Sequence, residues 1–101
     1  MTLPTEHTFT IEHNGAALVF TFTMPTMRER TKIGLAEARM REGVSVGDLD
    51  EITRSLISQL AFLSATVTCP EGVSFNEDTS PALMNSVFKE VIEYEGRFLD
   101  G

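Results

Sequence analysis

Two histidines, one cysteine and three short clusters of acids are the residues of this 101-residue chain that could do chemistry. Nucleophilic catalysis needs a nucleophile, a base within hydrogen-bond reach and a group that orients the base. Cys69 with a histidine would supply the first two parts. His7 and His13, however, fall at exposed or turn positions of a predicted hairpin, and Cys69 directly precedes Pro70 in a predicted loop. The supports of a reactive thiol are missing there, so Cys69 is expected to be inert. No pair of Cys or His residues has zinc-ligand spacing. The runs Asp48-Leu49-Asp50-Glu51 and Asn76-Glu77-Asp78 lack the central glycine and terminal glutamate of a calcium loop. Acids of this kind are expected at helix N-termini, where the macrodipole favours them. Gly43, Gly47 and Gly72 form no phosphate-cradling motif. Glu90, Glu93 and Glu95 share a predicted helix and read as a solubilising surface. The expectation is a non-enzyme with no catalytic residues, no cofactor and no metal.

The net charge of −7 argues against partners that carry phosphates. The charge is uneven. Residues 26–43 hold five bases against three acids, while residues 44–101 hold ten acids against three bases. Arg28, Lys32 and Arg39 fall within about 40° of one another on a helix turning ~100° per residue. Three cations without interleaved aromatics suit a solvated face or an acidic protein segment better than nucleic acid. One cysteine cannot make an internal disulfide, so a reducing, cytoplasmic setting is expected. Residues 1–7 lack the basic and apolar regions of a signal peptide. No apolar run approaches the ~20 residues of a membrane helix, so no membrane partner is expected.

The elements that would position these residues follow from periodicity and turn chemistry. With 101 residues and 42% hydrophobic composition, the chain has room for one core and one domain. Phe9 and Ile11 alternate with Thr8, Thr10 and Glu12, and then comes Asn14-Gly15, the strongest short hairpin signal. Leu18, Phe20, Phe22 and Met24 alternate with Ala17, Val19, Thr21 and Thr23. A hairpin is predicted over about 8–24, closed by Pro25. Thr26 and Glu29 read as a capping box that opens a helix over about 27–41, ending at Gly43. Its apolar face is thin: Ile33, Ala36 and Met40.

A second box, Asp48 to Glu51, opens a helix over about 49–65. Leu49, Ile52, Leu56, Leu60, Leu63 and Val67 form its seam, with Ile57 and Phe62 off it. Pro70 bars any continuation. Ser80 and Pro81 read as N-cap and first residue of a helix over about 81–99. Its core stripe is Met84, Val87, Phe88, Val91, Tyr94 and Phe98, and Lys89, Glu93 and Arg97 form a solvated row. The fold class is therefore α+β, an N-terminal antiparallel β-hairpin followed by three α-helices.

What remains is apolar surface. Methionine adapts to irregular partners, and Met24, Met27 and Met40 are expected to gather near the hairpin–helix junction. With Ile57, Phe62, Phe88 and Phe98 they are the candidate partner-binding residues. The hairpin edge and spare helical surface also permit self-association.

The layout resembles the tail assembly chaperones of long-tailed bacteriophages, small acidic proteins of about this length. The likeness runs through the hairpin from Phe9 to Met24, the Pro25-Thr26 exit and the Leu49–Val67 helix. It continues through the loop Cys69-Pro70-Glu71-Gly72-Val73-Ser74-Phe75 and the closing helix ending Glu93-Tyr94-Glu95-Gly96-Arg97-Phe98. It covers nearly the whole chain, as layout and not as a residue motif. The resemblance implies a protein of the infected cell's cytoplasm that coats a tape-measure protein and helps recruit the tail-tube protein. Two other classes compete: a small structural or connector subunit of the virion, and an acidic inhibitor or regulator that binds a host protein.

Overall fold

Asn14 and Gly15 set the first element. Their φ angles of 52° and 79° are both positive, as a type I′ turn demands. The structure, a computed structural model, describes residues 4–41, 50–76 and 78–100. On either side of the turn run β1 (Glu6–His13) and β2 (Ala16–Thr23), paired antiparallel with Phe9 opposite Phe20 and Ile11 opposite Leu18. The two-residue side-chain period then sorts the faces. Phe9, Phe20 and Phe22 turn inward and are buried, while Thr8, Thr10 and Val19 face solvent. The Thr8 and Thr21 hydroxyls meet on the open face at 3.1 Å.

Pro25 ends the ladder, and Thr26 starts α1 (Met27–Met40). The predicted capping box is complete: Glu29 N–H donates to Thr26 Oγ1 at 3.2 Å, and Thr26 N–H donates to Glu29 Oε1 at 2.9 Å. The second helix, α2 (Glu51–Thr66), is capped by Asp50. Asp50 accepts from the Thr53 N–H at 2.8 Å and from its hydroxyl at 2.7 Å. The box predicted from Asp48 is therefore replaced by an Asp50–Thr53 cap, in which one carboxylate holds two donors of the same residue. Asp48 and Leu49 lie outside the described residues. The third helix, α3 (Pro81–Asp100), starts at Pro81, and the Leu83 N–H lies 3.5 Å from Ser80 Oγ.

The sheet gains a strand that periodicity did not reveal. α2 runs straight into β3 (Val67–Thr68), which pairs with Phe22 and Thr21 to give the order β1-β2-β3. Val67 is thus buried as a strand residue, not as the end of a helical seam. Two β-branched residues before Cys69-Pro70 favour extended backbone.

The core lies between the inner face of the sheet, α3 and the C-terminal half of α2. Phe20, Phe22, Leu63, Val87 and Val91 are fully buried there. Burying each such side chain stabilises by about 1.5–3 kcal/mol. Ile52 departs from the predicted seam and is 75% exposed. It has the seam's direction but sits in the first turn of α2, beyond the elements that cover Leu63. α1 joins this body through buried Ile33, an Arg30–Glu95 ion pair at 3.1 Å and a Ser58 hydroxyl bond to Glu37 at 2.7 Å. None of the described helices is long and apolar enough to cross a membrane.

Candidate functional site

α2 carries apolar side chains around most of its circumference, and the neighbouring helices cover it incompletely. On one side Phe62 meets Phe88 edge-on, with ring centroids 6.2 Å apart. Ile33, Ile92, Ser58, Glu37 and Glu95 complete a cleft of about 280 Å³ there. Its floor is aromatic and aliphatic. Its two carboxylates are already engaged, Glu37 by Ser58 and Glu95 by Arg30. On the other side Leu56, Ile57 and Leu60 face Met84, Pro81 and Thr79 across a cleft of about 230 Å³. Through Leu60 and Asn76 this cleft adjoins another of about 370 Å³ that reaches Met40 and Phe75. Together they make a groove along α2 with a methionine at each end, Met84 and Met40.

The seven candidate residues divide accordingly. Phe62 and Phe88 come together in the first cleft, and Ile57 and Met40 line the groove. Met24 and Phe98 are half-buried and pack on the core. Met27 stands 78% exposed at the start of α1. The expected methionine cluster does not form. Met27 and Met40 occupy opposite ends of a 14-residue helix, about 20 Å apart at 1.5 Å per residue. Ile92 and Phe75, outside the expected set, also line these clefts. Phe75, a large aromatic in a polar loop, was the one signal that could have found the second groove.

The residues with chemical potential are placed differently from expectation. His7 is half-buried, not exposed, because its ring stacks on Tyr94 at 4.3 Å and 5°. Tyr94 in turn donates its hydroxyl to the Pro4 carbonyl and lies under the Arg97 guanidinium at 5.7 Å. His13 is half-buried too, with Nε2 3.3 Å from the Asn14 amide in the turn. Cys69 is half-buried, and burial pushes its thiol pKa up, opposed by a hydrogen bond from the Phe75 backbone. A raised thiol pKa lowers the thiolate fraction that would react. Glu93 is exposed on α3, while Glu95 is tied to Arg30. Among the described residues, no three His, Cys, Asp or Glu side chains gather closely enough to hold a metal ion.

No family model, curated protein or solved structure matches the chain. The geometry offers apolar clefts on both sides of α2, and the carboxylates of the Phe62–Phe88 cleft are engaged by Ser58 and Arg30.

Proposed function

We propose that this chain is a protein-binding domain that works as a phage tail assembly chaperone, holding apolar helical stretches of a tape-measure protein in the host cytoplasm. The observation that carries the binding half is the groove along α2, where half-buried Leu56, Ile57 and Leu60 lie opposite Met40, Phe75 and Met84. Apolar grooves accept an amphipathic helix through anchors spaced three and four apart. Methionines at both ends can adjust to different anchors. The tape-measure half, with recruitment of the tail-tube protein, is supported by the resemblance in layout.

Co-expression with the long tape-measure protein of the same genome tests both halves. The chaperone is expected to raise that protein's solubility and to co-purify with it. Ile57→Asp should abolish the effect, and Thr10→Asp on the open sheet face should not. Unchanged solubility and no co-purification with the unaltered chain would sink the reading.

A virion-subunit reading draws on a different feature. β1 lies at one edge of the sheet, and strand addition to a free edge is a common way for sheets to join. Mass spectrometry of purified particles separates the two, since a subunit stays in the particle and a chaperone does not.

A further inference from the structure

α1 divides sharply into two faces. Arg30, Ile33 and Glu37 turn toward α2 and α3, and the first and last bond across to them. The opposite arc is exposed along its whole length. It carries Met27, 78% exposed, and Leu35, 56% exposed, with Ala38 between them around the helix and Gly34 at the edge of the stripe away from the cations. Arg28, Lys32 and Arg39 flank this stripe as one row, spanning about 16 Å. The arc holds no acid: Glu29 is spent on capping Thr26, and Glu37 accepts from Ser58. Among the described residues, none of the three cations makes an ion pair. Lys32 lies close enough to Glu29 to help lower its pKa, yet three cations in one row on a chain of charge −7 are a local reversal of its field.

We propose that this outward face of α1 docks an amphipathic helix of another protein, one that carries an apolar stripe flanked by a row of acids. Charge complementarity selects acids. The exposed Met27 and Leu35 select an apolar stripe beside them, which a nucleic acid backbone does not offer. Gly34 leaves room at that edge for a closely approaching helix. Glycine is the worst helix former after proline, and a Cβ at Gly34 would meet nothing within 4 Å. The fold of this chain therefore has no steric need for it.

A second copy of the chain is a poor occupant. Glu93, exposed on α3, has Lys89 and Arg97 one turn to either side, and α2 opens with Glu51 followed by Arg54. Neither helix offers an unbroken acidic row to match Arg28, Lys32 and Arg39. The surface lies on the side of α1 away from α2, and the proposal stands independently of the chaperone reading.

The test uses two synthetic helical peptides with the same Leu/Ala stripe, one flanked by glutamates and the other by lysines at matching positions. Calorimetric titration and amide chemical-shift mapping of the full chain read the binding. The glutamate peptide is expected to bind, to shift residues 27–39 and to weaken as salt rises. Reversing the row (R28E, K32E and R39E together) should weaken it on the order of tenfold, from three exposed pairs. Gly34→Leu projects into open space at the edge of the stripe and should raise the thermal midpoint, leucine being the better helix former, while weakening the peptide's hold. No binding, equal binding of the lysine peptide or shifts elsewhere would overturn the proposal. So would duplex DNA binding through the same three cations, or self-association in sedimentation that Gly34→Leu abolishes.

Discussion

The Gln59 amide nitrogen lies 3.4 Å from the Ser55 hydroxyl, one turn back on α2, and the Gln59 carbonyl oxygen is buried with no hydrogen-bond partner among the described residues. A buried acceptor left unmade costs about 1–3 kcal/mol, whereas an apolar group of the same shape carries no such penalty. Gln59→Met keeps the length and volume of the side chain and removes the orphaned oxygen. The variant should be more stable by about 1 kcal/mol after the weak Ser55 contact is lost. Urea unfolding checks this as a higher midpoint with an unchanged slope. A lower midpoint would mean that the oxygen is satisfied in solution.

The N-terminal end of the described chain is tied to α3 through Tyr94. Its hydroxyl donates to Pro4, its ring stacks on His7, and the next ladder bond, Met24 N–H to Thr5 carbonyl, measures 2.8 Å. Tyr94→Phe keeps the buried ring and removes only the hydroxyl. It should cost about 1 kcal/mol in global stability. Hydrogen exchange should show the loss locally, with the Met24 amide exchanging faster while the Phe20 amide changes little. Equal acceleration across the sheet would mean that the hydroxyl serves the whole core and not this one strap.

Features set within three or four residues were legible in the sequence. The Asn14-Gly15 turn and the Thr26–Glu29 box are decided by their own backbone, and both are where the residue types put them. The inward faces of β1, β2 and α3 were legible for a related reason: one period sorts a whole face. What was hidden depends on distant partners. β3 is two residues long and exists only because β2 is there to pair with it. Ile52 follows the seam, but exposure is decided by where other elements stop covering α2. The candidate site was half legible. Phe62 and Phe88 meet, yet Met27 and Met40 do not, because neighbours along the chain on one helix can lie far apart in space.

Two helix caps give the fold an acid-sensitive component. Glu29 is held below the usual carboxylate range first by the Thr26 backbone N–H, and Asp50 first by the Thr53 backbone N–H, each helped by a side-chain bond to the same residue. A carboxylate whose folded pKa is depressed contributes stability above its unfolded pKa and loses it as pH falls through the folded one. The loss should therefore begin near pH 4, about the unfolded value, and continue below it. Asp50→Asn keeps a capping oxygen without a titrating proton. Urea midpoints measured down the acid range should fall less steeply for Asp50→Asn and Glu29→Gln than for the unaltered chain. Carboxyl shifts in NMR should give both residues midpoints below their ordinary values. Midpoints at or above those values would contradict the caps.

Gly72 and Gly96 predict opposite signs for one substitution. Neither has any heavy atom within 4 Å of where a Cβ would stand, so crowding does not decide either case. Backbone conformation does. Gly72 has φ +81° in the turn after Pro70, and an L-residue there pays roughly 1–2 kcal/mol. Gly96 lies within α3 with ordinary helical neighbours on both sides, where alanine is favoured over glycine by about 1 kcal/mol. Gly72→Ala should therefore lower the thermal midpoint and Gly96→Ala raise it, each by several degrees at roughly 4–8 °C per kcal/mol for a domain this size. The Gly96 result also bears on α3 as a surface. Exposed Ile92 and Leu99 flank Gly96 on one stripe. If Gly96→Ala stabilises the isolated chain yet weakens its hold on a partner, the glycine is there for an approaching backbone and not for this fold.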